Sequence, residues 1–200
     1  AQHVGRLFDL VPVRRRGRRR PSLLVLWPAR DIPQVHGWET RLVVVSDTTN
    51  TVESDNKHRL LALLRERSLI HGDFVLASGR ESKYYIDARR TTMAGEGLVL
   101  IGTLGLAALQ THGWAPRAVG GLTLGADPVA YAVAHAARLA GLRIDAFTVR
   151  KQAKTHGAGR RIEGCLDAGD AVVIIEDVIT TGRSAREAID AVREVGAKVL

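Results

Sequence analysis

Two adjacent carboxylates at the end of an apolar run form the densest chemical signal in the chain. The run is Val172-Val173-Ile174-Ile175-Glu176-Asp177-Val178-Ile179-Thr180-Thr181-Gly182-Arg183-Ser184. Glu176 and Asp177 can accept hydrogen bonds from sugar hydroxyls. The amides of the segment Val178, Ile179, Thr180, Thr181, Gly182 and Arg183, with the hydroxyls of Thr180, Thr181 and Ser184, can hold a phosphate. The helix start expected there adds free N–H groups and a dipole that favour an anion. A ligand with both hydroxyls and phosphate, such as a sugar phosphate, satisfies both halves. A plain strand, turn and helix with a solvated acidic edge explains one acid, but not the pair followed by Thr-Thr-Gly-x-Ser.

Other chemistries have less support. There is no Gly-x-x-x-x-Gly-Lys-Ser/Thr run, and no Gly-x-Gly-x-x-Gly opens a helix after a strand. Gly120-Gly121 leads to Asp127-Pro128 at an expected helix start, a second plausible anion site, although glycine turns between strand and helix are common. Cys165 is the only cysteine, which excludes a disulfide framework and a cysteine-based zinc site and fits a reducing, cytoplasmic compartment. His112 and His135 are expected to be structural or exposed, and His71 to lie in a connection.

The elements that must position these residues alternate. Leu60, Leu61 and Leu64 give a first amphipathic helix over 54–68. Phe74–Leu76 and Lys83–Asp87 read as short strands about a Ser78-Gly79-Arg80 turn. Residues 95–112 read as a long apolar helix, and 118–120 as a buried strand. Asp127 is expected to cap a helix running to about Ala140, with Pro128 at its first position. A strand over 144–149, a polar loop over 150–163 and a fully apolar strand over 171–175 follow. Ser184-Ala185-Arg186-Glu187 reads as a capping box opening a last helix with Ala188, Ile189, Val192 and Val195 on one face. Strand alternating with helix predicts a parallel α/β sheet flanked by helices, which binds ligands at the carboxyl ends of its strands.

With the acid pair and its loop in place, the chain resembles the type I phosphoribosyltransferases. Three further stretches narrow the resemblance to the orotate phosphoribosyltransferases. Phe74 to Asp87, with Ser78-Gly79-Arg80-Glu81-Ser82-Lys83-Tyr84-Tyr85 inside it, is similar to that family's N-terminal hood. Gly120 to Pro128 is similar to its pyrophosphate loop, and Phe147 to Gly157, continuing to Gly164, to its mobile catalytic loop. The resemblance implies the type I fold with a small hood. It also implies transfer of the phosphoribosyl group of phosphoribosyl pyrophosphate to orotate, giving orotidine 5′-phosphate and pyrophosphate. By the resemblance, Arg150, Lys154, His156 and Asp177 are catalytic, and Lys151 reaches across a homodimer into the neighbouring site. Thr180, Tyr84 and Tyr85 are placed near the orotate, the tyrosines as core or stacking aromatics. Mg²⁺ would be held mainly by substrate oxygens and water, with no dedicated protein cage. Some relatives carry a lysine near Gly125 and another near Ala77, and this chain has neither. The alternatives are a purine base in place of orotate, or a non-enzymatic regulator that senses phosphoribosyl pyrophosphate.

The cationic stretch can also be read from its own residues. Arg150, Lys151, Lys154 and His156 put up to four cationic donors within seven residues, a pattern that is usually a solvated face. Next to a phosphate cradle, mobile cations closing over a departing pyrophosphate would stabilise its growing charge and exclude water.

Composition then bounds the rest. The chain has 200 residues, 46% hydrophobic and 25% charged, with a net charge of +8, an ordinary globular balance. Residues 1–44 hold 9 Arg against 3 acids, whereas residues 45–200 hold 20 basic and 18 acidic side chains. The arginines at 14–20 have no interleaved aromatics and no period, so a nucleic-acid arm is the less favoured reading. Residues 1–50 are expected to be a disordered or non-native extension, with Val45 as a non-ATG start, and 51–200 to be the phosphoribosyltransferase domain. The apolar run 98–109 is too short to span a membrane. A strand begins at Leu200, so the C-terminal part of the domain is expected to be missing.

Overall fold

The structure is a computed structural model that describes residues 9–12, 22–25, 49–75, 79, 81–152 and 161–200. Its centre is the apolar run read above: β8 (Ala171–Glu176) lies inside a seven-stranded sheet. β5 (Ala118–Leu122) pairs with it in parallel, Gly120 opposite Ile174, and β6 (Asp145–Val149) pairs in parallel with the far side of β5. On the opposite edge of β8 lie β9 (Lys198–Val199), against Ala171 and Val172, and β2 (Ser22–Val25), against Ile174 to Glu176, both parallel. β1 (Asp9–Pro12) pairs antiparallel with β2. The expected parallel α/β sheet is therefore present, with antiparallel strands only at its two margins.

Burial on both faces explains why β8 is apolar throughout. Val173 and Ile175 join the core with α1 (Thr49–Arg67), α3 (Gly95–Thr111) and α4 (Ala126–Leu139). Val172 and Ile174 join Phe147, Ala188, Ala191 and Val192, beneath α5 (Arg183–Glu194). The period of two along the strand thus assigns alternate side chains to two helical layers. Each such fully buried aliphatic side chain contributes about 1.5–3 kcal/mol.

A separate two-stranded sheet forms the hood: β3 (Leu69–Val75) runs antiparallel to β4 (Glu81–Ile86). The hood is tied to the body at its base. Asp87 N–H donates to Ser68 O at 3.0 Å, and Ser68 Oγ meets Thr91 Oγ1 at 2.7 Å in a fully buried pair. Thr91, on the short helix α2 (Arg89–Thr92), also donates to Leu63 O, so Ser68 is the donor in the pair.

Five local expectations differ from the structure, the first being α1, which begins at Thr49 and not at residue 54. β3 begins at Leu69, earlier than read, because most of it is exposed and carries no apolar alternation. The stretch 150–163 is not all loop: β7 (Ile162–Gly164) pairs antiparallel with β6, making residues 150–161 the connection of a hairpin. The α4 cap position is Gly125, not Asp127, whose carboxylate makes tertiary bonds instead. Likewise α5 is preceded by Gly182 without a side-chain cap, and Glu187 pairs with Arg183 at 2.8 Å instead of closing a capping box.

Candidate active site

β8 delivers Glu176 and Asp177 to the carboxyl end of the sheet. Glu176 is buried at 8% exposure, and its Oε2 has no hydrogen-bond partner among the described residues. Burial, and secondly the charge of Asp177, push its pKa up to about 8. Burial raises Asp177 as well, an effect opposed by hydrogen bonds from the backbone of Val178 and of Asp177 itself and by the charge of Arg89. The bend 177–182 then turns into α5. Gly182 takes φ 73°, a left-handed conformation open to glycine, and the chain enters α5 directly after it. Thr180 and Thr181 are exposed and Ser184 half-buried. Arg183 N–H donates to Thr181 Oγ1 at 3.4 Å.

The second motif packs directly on the first. A Cβ at Gly125 would overlap the Asp177 carboxylate, so the 120–125 loop lies against the acid with no side chain between. Such backbone approach is what an anion-binding loop beside a sugar site requires. From α2, just past the hood, Arg89 Nε donates to Asp87 Oδ1 at 2.8 Å, and the Arg89 charge acts on Asp177.

The cationic stretch starts at the neck of the β6–β7 hairpin. Arg150 N–H donates to Arg161 O at 2.7 Å, and the Arg150 guanidinium lies 3.8 Å from Glu163 Oε1. Lys151 is exposed. Lys154 and His156 lie outside the described residues, as do Leu76, Ala77, Ser78 and Arg80 of the hood motif. Tyr84 and Tyr85 are 36% and 41% exposed, hence not core residues, and Tyr85 leans on Phe74 with ring centroids 5.6 Å apart.

The chain is 47% identical over 147 residues to an orotate phosphoribosyltransferase of Streptomyces coelicolor, a match covering 74% of this chain and 80% of that protein. The chain belongs to the orotate phosphoribosyltransferase family. No protein-family model matches it. A Mycobacterium tuberculosis orotate phosphoribosyltransferase in complex with Fe(III) dicitrate shares its fold with TM-score 0.64 and 47% identity, over 72% of this chain and 80% of that one. The same bacterium's enzyme in complex with phosphoribosyl pyrophosphate aligns with TM-score 0.59 and 43% identity, over 72% of this chain and 78% of that one. The fold is therefore the type I phosphoribosyltransferase fold expected from the motifs.

Within that family fold, the sequence reading missed Tyr131 and Arg89, covered Thr123, Thr148 and Glu163 only inside the loop motifs, and gave Asp127 a cap role instead of its tertiary one. Neither Tyr131 nor Arg89 belongs to a dense motif. The available signals were a threonine two residues before Arg150, and a tyrosine four residues after Asp127 on one helix face.

Proposed function

We propose that the protein transfers the phosphoribosyl group of phosphoribosyl pyrophosphate to orotate, giving orotidine 5′-phosphate and pyrophosphate. The observation that carries this is the 120–125 loop lying on the Asp177 carboxylate, beside the bend that opens α5. Three needs of such a donor are met within one edge of the sheet. Glu176 and Asp177 accept from the ribose hydroxyls. The 178–184 segment holds the 5′-phosphate through its amides and the hydroxyls of Thr180, Thr181 and Ser184. The 120–125 backbone holds the pyrophosphate.

Breaking the bond from ribose to pyrophosphate leaves negative charge on the departing oxygens and positive charge on the ring. Arg150, Lys154 and His156 act on the departing oxygens, and the hairpin that carries them excludes water from the reacting carbon. Asp177, next to the ribose, favours the developing positive charge. Thr180 and the β4 tyrosines 84 and 85 flank the orotate, a reading supported by their exposure.

Mg²⁺ fits this donor set as an ion carried on the polyphosphate. Among the described residues no group of three or more His, Cys, Asp or Glu side chains could hold a metal. Glu176, with its unpartnered Oε2, and Asp177 are the carboxylates at hand to receive it. When bound, the ion would neutralise the charge of the polyphosphate. The working unit is a homodimer in which Lys151, exposed at the hairpin neck, serves the neighbouring site. A cytoplasmic setting is supported by the single, free and exposed Cys165. No helix among the described residues is long and apolar enough to cross a membrane.

Orotate depletion in the presence of phosphoribosyl pyrophosphate, with and without Mg²⁺, tests the proposal. Turnover that requires both additions is expected. Turnover with adenine or hypoxanthine but not orotate would move the activity to a purine base. Binding of phosphoribosyl pyrophosphate without turnover of any base would favour a regulator.

A further inference from the structure

Asp127 spends both carboxylate oxygens on side chains from other segments. Its Oδ2 accepts from Thr123 Oγ1 at 2.6 Å, and its Oδ1 accepts from Thr148 Oγ1 at 2.9 Å. Thr123 belongs to the 120–125 loop, and Thr148 lies on β6 two residues before Arg150. The Thr148 hydroxyl has one proton, already given to Asp127, so the 2.9 Å contact with Tyr131 Oη is a bond donated by Tyr131. The chain of bonds therefore runs from Tyr131 to Thr148 to Asp127, with Thr123 donating from the other side. A backbone bond from Thr123 N–H to Val149 O at 2.8 Å runs parallel to it.

The groups at either end of this chain differ in kind. Two residues before Asp127, Gly125 rests on the Asp177 carboxylate. Across the β6–β7 ladder, Thr148 stands opposite Glu163, whose carboxylate faces Arg150. We propose that Asp127 is a positioning residue that braces the pyrophosphate loop against the neck of the catalytic hairpin. A helix-capping role is excluded by the bonds themselves, since neither oxygen accepts from the first turn of α4. Asp127 is half-buried, where a carboxylate fully occupied by two hydroxyl donors gives a directional tie. The β5–β6 ladder and the Thr123 N–H bond to Val149 O already join the two backbones, and the Asp127 bonds add the side-chain tie between them. Small misplacements at that point matter because both segments grip the same leaving group.

The inference rests on the phosphoribosyl transfer reading, and wild-type turnover with orotate and phosphoribosyl pyrophosphate is its control. The variants are Thr148→Val, which deletes the bond without changing shape, Thr148→Ser, which restores the hydroxyl, and Tyr131→Phe, which removes only the outer donor. For Thr148→Val, kcat/KM for phosphoribosyl pyrophosphate should fall by about ten- to a hundredfold. KM for orotate should be unchanged, and Thr148→Ser should recover most of the loss. Tyr131→Phe should show the same split more weakly. Parallel changes in both KM values, or a Tm loss with kinetics unchanged, would overturn the proposal. If Thr148→Val does not fold, Tyr131→Phe with wild-type kinetics overturns it equally. An inactive wild type would refute the underlying reading instead.

Discussion

Glu176 is a carboxyl that the fold keeps at the wrong pKa for stability. It is buried beside Asp177 with Oε2 unpartnered among the described residues, and its pKa rises from the usual carboxyl range to about 8. Below about pH 4.5 the folded and unfolded chains both hold this proton, so the site costs nothing extra. Between there and pH 8 the unfolded chain releases the proton while the folded chain retains it. Stability therefore falls as pH rises, by at most about 1.4 kcal/mol per pH unit. Glu176→Gln keeps the neutral form at every pH. It should match the wild type near pH 4 and exceed it by a few kcal/mol near pH 9, as read from urea unfolding at both values. A second residue-scale prediction concerns Gly125. Gly125→Ala puts a methyl into the Asp177 carboxylate, a group that can swing aside. The expected outcome is a small change in Tm with KM for phosphoribosyl pyrophosphate raised about tenfold, since the ribose acid loses its place. Steady-state kinetics with Tm measured alongside checks it. The acid pair was legible in the sequence because its members adjoin and end an apolar run. Asp127 was not, because its partners stand 4 and 21 residues away and only the folded sheet brings them together.

At the scale of elements, the two-sided burial of the sheet makes definite demands on single side chains. Phe147 on β6 is 1% exposed and fills the layer between the sheet and α5 with Val172, Ile174 and Ala188. The alanines of α5 cannot move in to fill a void there, so Phe147→Ala should cost about 3–5 kcal/mol. Denaturant unfolding measures this, with the slope unchanged if the fold is intact. β8, α3 and α4 were read close to their observed bounds because a continuous β-branched run and long apolar helices carry strong periodic signals. β7 escaped notice since three residues, Ile162, Glu163 and Gly164, are too few to show a period. Its strand character comes from the ladder with β6, a tertiary cause. The caps failed for a related reason. Asp127 and Ser184 have the right chemistry for an N-cap, but α4 and α5 start earlier, after Gly125 and Gly182, and Asp127 bonds to Thr123 and Thr148 instead. A motif of cap residues thus marks the vicinity of a helix start more reliably than the capping bond itself.

For the whole molecule, the question that follows from the hairpin neck is which site its cations serve. The Arg150 guanidinium lies 3.8 Å from Glu163 Oε1, while Lys151 next to it is exposed. In the proposed homodimer, Arg150 would serve its own subunit and Lys151 a partner related by a two-fold axis. Mixing two defective variants decides it. Lys151→Ala leaves the acids intact, and Asp177→Asn leaves the hairpin intact, and each homodimer should be nearly inactive. If Lys151 acts across the interface, a mixed dimer contains one site with wild-type Asp177 and a wild-type Lys151 from the partner. Equal mixing with random exchange should then restore about a quarter of wild-type activity. If Lys151 acts within its own chain, every site in the mixed dimer lacks one of the two groups, and no recovery is possible. Activity measured before and after subunit exchange therefore separates the two arrangements. The absence of recovery after exchange has been shown by mass spectrometry would assign Lys151 to its own site.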